Sequence, residues 1–142
     1  MPEAALALSR DDFEALLGAA RENGQLSALD VQFARALARW SCCDDDVRLP
    51  VALAGAAASS ALGGQDICID LGREPPSWWT GYDPDALRES LAASDVVGDT
   101  GSALPLVLEG DRLYLQIMAR RERLIAERML AMAGEKIDYA EP

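Results

Sequence analysis

The chain has 142 residues, half of them apolar but only 6% aromatic, and a formal net charge of −11. That length suits one domain with a sizeable core, and the acidity works against an autonomous nucleic-acid binder, which would usually be basic. With no histidine and only Cys42, Cys43 and Cys68 as thiols, the usual general base near neutral pH and the usual zinc-ligand spacings are missing. Alanine and leucine dominate, which favours closely packed helices, and every basic residue except Lys136 is an arginine.

In chain order, Ser9-Arg10-Asp11-Asp12 has the form of a capping box, with Phe13, Leu16, Leu17 and Ala20 following at helical spacing and Asn23-Gly24 as a stop. A second start at Ser27-Ala28-Leu29-Asp30 leads into an apolar stripe of Val31, Ala34, Leu37 and Ala38, up to about Trp40. Cys42 and Cys43 read as small apolar fillers at a helix end, and an odd thiol count without a signal peptide suits a reducing cytosol. Asp44-Asp45-Asp46 then complements the positive end of a third helix, about Val47 to Leu62. That helix is polar only at Ser59 and Ser60 over its second half, so it is expected at the centre, packed on several sides. Its apolar run falls short of the ~20 residues a membrane span needs.

Ile67 to Leu71 is a β-branched run expected as a strand. A loop from Gly72 to Tyr82 follows, containing Pro75-Pro76 and Trp78-Trp79, and Asp83-Pro84 opens a fourth helix to about Ala93. Asp95 to Ser102 reads as a mobile connection, and Leu104 to Leu115 as a hairpin turning at Gly110-Asp111. A closing helix runs from about Gln116 to Ala133. The expected fold is α+β and predominantly helical: about five helices with a small antiparallel sheet made of one strand plus a hairpin.

Catalytic chemistry has little to work with. No phosphate-cradling G-x-x-x-x-G-K-[ST], G-x-S-x-G, H-E-x-x-H or EF-hand pattern occurs. Asp44-Asp45-Asp46 fits a solvated helix start better than a cation site, so no catalytic, cofactor or metal residue is assigned. Trp78 and Trp79 with nearby Tyr82 are the candidate partner-binding residues, because successive side chains of an extended segment cannot both enter the core. Arg120, Arg121, Arg123 and Arg128 are the candidate contact with nucleic acid or an acidic partner. Glu122 and Glu127 dilute that cluster, and Arg123 with Glu127 has the spacing of an intrahelical pair.

Two segments, Leu29-Asp30-Val31-Gln32-Phe33-Ala34 and Gly110-Asp111-Arg112-Leu113-Tyr114-Leu115, carry a family likeness. With the order of elements around them, the chain resembles the N-terminal domain of the alpha (RecD) subunit of exodeoxyribonuclease V, the bacterial RecBCD helicase–nuclease. The resemblance implies an interaction domain over residues 1–134, with 135–142 beginning a linker to helicase motor domains. ATP and Mg²⁺ would be bound only in those motors, so no cofactor is expected within this segment. It implies the gamma subunit as partner, the beta subunit indirectly, and DNA only through the whole cytoplasmic complex, with no membrane contact. The role implied is to tether an ATP-driven 5′-to-3′ helicase during double-strand-break processing and recombinational repair. No motor residue carries over, and the twin-tryptophan loop between Arg73 and Asp83 departs from the family pattern. A second reading is a winged-helix-like nucleic-acid-binding module using the Arg120–Arg128 helix.

Overall fold

Two matching caps set the N-terminal helices. Ser9 Oγ accepts from the Asp12 N–H at 3.0 Å, and the Asp12 carboxylate takes back the Ser9 N–H at 3.4 Å, opening α1 (Arg10–Glu22). Ser27 and Asp30 repeat the exchange at 3.2 and 2.8 Å to open α2 (Ala28–Trp40). Each box satisfies N–H groups that a helix start leaves without partners, and an N-cap is worth about 1 kcal/mol. The second does more: Asp30 is buried, and its other carboxylate oxygen accepts from Ser59 Oγ at 2.5 Å on the next helix.

That next helix, α3 (Asp45–Gly63), is the centre of the molecule. The residues from Leu49 to Ala58 are buried without interruption, and α1, α2, α4 (Pro84–Ala93), β1 (Cys68–Asp70) and β4 (Arg112–Leu115) all pack on it. Its small side chains let neighbours approach closely. At Gly55 a Cβ would overlap Leu37 Cδ1 on α2 and lie 3.5 Å from Leu106 Cδ1 on β3 (Leu106–Glu109). The helix is thus clamped between α2 and the sheet at a point where only hydrogen fits.

The sheet runs β1-β4-β3-β2, with β1–β4 and β3–β4 antiparallel. The hairpin turns at Gly110-Asp111 as expected, and Gly110 takes φ +60°, which a glycine tolerates without strain. Leu106 and Leu113 face the helices, whereas Val107 and Tyr114 form a small cluster with Cys68 on the other face. The sheet departs from expectation at one edge. Val97–Gly98, within the segment expected as a mobile connection, forms β2 and pairs in parallel with Leu106 and Val107. Burial of Val96 and the Leu106 N–H bond to Val96 O (3.1 Å) draw this segment onto the sheet.

The computed structural model describes residues 8–64, 68–73, 76–79, 82–99, 102–116 and 124–132. Residues 124–132 are helical, giving a helix-dominated α+β fold with a small mixed four-stranded sheet. Among the described residues no helix is long and apolar enough to cross a membrane. Leu29, within one of the two family-like segments, is 75% exposed, while Asp30, Val31 and Ala34 beside it are buried.

Overpacking at Gly55 should outweigh helix propensity. Gly55→Ala gains roughly 1 kcal/mol of propensity and loses about 1–3 kcal/mol to the crowded Leu37 methyl, so urea unfolding should show a net loss. In a Leu37→Ala background the same substitution should become stabilising, because the vacated space takes the added methyl. Additive effects in the two backgrounds would refute the clamp.

Candidate functional site

The loop after β1 is built to hold three aromatic rings. Leu71 is buried, and its N–H donates to Asp111 O at 2.7 Å, fixing the loop's start to the hairpin turn. The Asp70 carboxylate accepts the Gly72 N–H at 2.8 Å and pairs with Arg73 at 3.9 Å, turning the chain outward. Further on, the Trp79 N–H donates to Pro76 O at 3.0 Å, and Gln25 Nε2 donates to Ser77 Oγ at 2.6 Å, tying the loop to the α1–α2 turn.

Within that frame the chain turns at Ser77-Trp78 instead of running extended, and the two tryptophan rings stack. Trp79 enters the core, 5% exposed, with its ring centroid 4.4 Å from that of Tyr82 and 6.1 Å from that of Trp78. Trp78 and Tyr82 are half-buried and line a groove of about 580 Å³. The last turn of α3, the β1 strand and Arg112 of β4 supply its other walls. Loss of hydration pushes the Tyr82 hydroxyl above its ordinary value of 10.0, so it stays a neutral hydrogen-bonding group. Arg112, opposite Asp70 in the β1–β4 register, is held above its ordinary value first by the Tyr114 hydroxyl, then by charges at Tyr114, Cys68 and Asp70. Arg73 and Arg112 are both exposed.

The arginine cluster is harder to place. Arg128 is exposed on the closing helix; Arg120, Arg121 and Arg123, and with them the Arg123–Glu127 pairing, lie outside the described residues. What the arginines drew attention from is the apolar surface beside Arg128. Leu124, Ile125, Met129, Leu130 and Met132 are 49–76% exposed. The signal was present in the nine residues 124–132, whose only charges are Glu127 and Arg128 and whose apolar side chains go round the helix instead of following one stripe. A second hollow of about 640 Å³ adds exposed Leu29 and Leu62 beside Phe33 and Leu115.

The remaining polar cluster is structural. Asp95, after α4, accepts from Ser41 Oγ at 2.6 Å and from the Cys42 N–H at 2.7 Å, clasping the end of α2 to the end of α4. Cys42 is exposed and Cys43 is half-buried, its thiol donating to Asp95 at 3.5 Å and Ala93 O at 3.8 Å. Both sit in this polar clasp instead of filling apolar space, because the chain leaves α2 extended at Ser41 and turns them toward Asp95. Asp45 of the acidic triplet pairs with Arg10 and Arg48. Among the described residues, no three His, Cys, Asp or Glu side chains form a group able to hold a metal ion.

The family model described as "RecBCD enzyme subunit RecD, N-terminal domain" matches residues 22–114, nearly two-thirds of the chain. No curated protein matches it.

The clasp has a pH signature. Donation first from Ser41, then from the Cys42 N–H, holds the Asp95 carboxyl below its ordinary value of 3.8. Its stabilising contribution is therefore complete above about pH 4 and is lost as acid titrates the folded carboxyl. Solvent screening keeps the effect modest at this exposed site. Urea midpoints followed from pH 7 to pH 3 should fall less steeply for Asp95→Asn than for the wild-type chain; identical slopes would remove the clasp from the account.

Proposed function

The chain belongs to the family of RecD N-terminal domains of the RecBCD enzyme, and on that footing we propose that it is the docking domain of a RecD-like helicase subunit. It performs no chemistry of its own. It attaches an ATP-driven 5′-to-3′ motor to the gamma subunit for double-strand-break processing in the bacterial cytoplasm, reaching the beta subunit only indirectly. ATP and Mg²⁺ belong to the motor domains, and DNA is met through the assembled complex.

One observation carries this reading: the apolar side chains of helix 124–132 face solvent all round. A contiguous patch of that kind on a soluble domain marks an interaction surface. The groove beside Trp78 and Tyr82 supplies a second contact, with buried Trp79 backing it. The nucleic-acid reading draws less support. That reading places the contact on the Arg120–Arg128 helix, of which Arg128 alone among those arginines lies within the described residues, beside exposed apolar side chains. The net charge of −11 also opposes phosphate binding.

Purified gamma subunit should capture the domain at low and high salt alike, since apolar contacts are not screened. Met129→Glu or Leu130→Glu should weaken capture at least about tenfold while leaving the unfolding midpoint nearly unchanged, as expected for exposed positions. No capture, together with DNA binding that falls with salt, would overturn the docking role in favour of nucleic-acid binding.

A further inference from the structure

The groove at the twin-tryptophan loop has a polarity that narrows what it accepts. Two exposed guanidiniums, Arg73 and Arg112, line it with Trp78, against the single carboxylate of Asp70, which pairs with Arg73 at 3.9 Å and lies opposite Arg112. On another wall lies the final turn of α3 at Ser60, Ala61 and Gly64. A helix ends with a partial negative charge and outward-pointing carbonyls. The Gly64 N–H closes on this turn, through Ser60 O at 3.0 Å and Ala61 O at 3.1 Å. The groove therefore combines an aromatic wall, a cationic rim and an electronegative wall.

We propose that this groove receives a peptide segment of a partner protein in which a carboxylate side chain adjoins an apolar one. The inference rests on the docking reading above and specifies the chemistry of one of its contacts. The apolar side chain packs against Trp78 and Tyr82. The carboxylate meets Arg73 and Arg112, which offer paired N–H donors suited to its two oxygens. Backbone N–H groups of the segment face the α3 carbonyl end. A single nucleic-acid strand could stack a base on Trp78, but its next phosphates would run against Asp70 and the negative end of α3. With two guanidiniums against the one carboxylate of Asp70, these charges leave a place for a single carboxylate and not for a polyanion.

The test is selection of a phage-displayed random peptide library on the intact chain, alongside titration with a thymidine dodecanucleotide. Enriched peptides should carry Asp or Glu next to an apolar residue. Replacing that acid by its amide should weaken binding at least about tenfold, as should Trp78→Ala on the protein side. Arg73→Gln and Arg112→Gln, both at exposed positions outside the core, should do the same, and the oligonucleotide should not bind. No enrichment, enrichment without acidic residues, undiminished binding to all three variants, or binding of the oligonucleotide instead would each overturn the proposal. Capture by the gamma subunit is read separately: if capture holds while the peptides fail, the groove assignment falls and the docking role stands; if capture fails while the peptides succeed, the reverse follows.

Discussion

Everything in this fold is arranged around a helix with no polar side over its middle. From Leu49 to Ala58 each residue of α3 is buried, so neighbours must cover the whole circumference. Helices α1, α2 and α4 and strands β1 and β4 do this between them. Alanines and Gly55 keep the cylinder thin, allowing α2 and β3 to reach it together. With so much of a modest chain committed to burying one helix, the aromatic and apolar side chains that reach solvent among the described residues lie at the margins, in the loop after β1 and on helix 124–132.

How legible this was in the sequence follows from the range of the interactions involved. The caps at Ser9 and Ser27 were readable because a capping box is complete within four residues. The Gly110 turn and the burial of α3 were equally local. The pairing of Val97–Gly98 with β3 was not, because two residues carry no period and their place depends on a strand nine residues on. The aromatic loop was half legible. Alternation presupposes an extended segment; the chain turns at Ser77-Trp78 instead, so that Trp79 enters the core with Trp78 stacked on it and lining the groove. At the closing helix the arginines attracted the functional reading, while an apolar character that goes round the helix ordinarily signals burial. Leu29 shows the same limit, an apolar residue in a family-like segment that faces solvent.

The distribution of charged groups fits a domain that joins other molecules without transforming them. Asp45, Asp70 and Asp95 are engaged with nearby donors in ways that fix backbone turns and helix ends. Arg73, paired with Asp70, and Arg112, bonded to the Tyr114 hydroxyl, keep exposed guanidiniums that line the groove with Trp78 and Tyr82, a combination common at protein interfaces.

Asp30 has a wider consequence. One buried carboxylate accepts the Ser27 N–H that opens α2 and the Ser59 hydroxyl near the end of α3. Fraying of the first turn of α2 therefore breaks the tie to α3, and separation of α3 uncaps α2. The start of α2 and the end of α3 are thereby coupled through one side chain, so that opening either one costs the other a hydrogen bond.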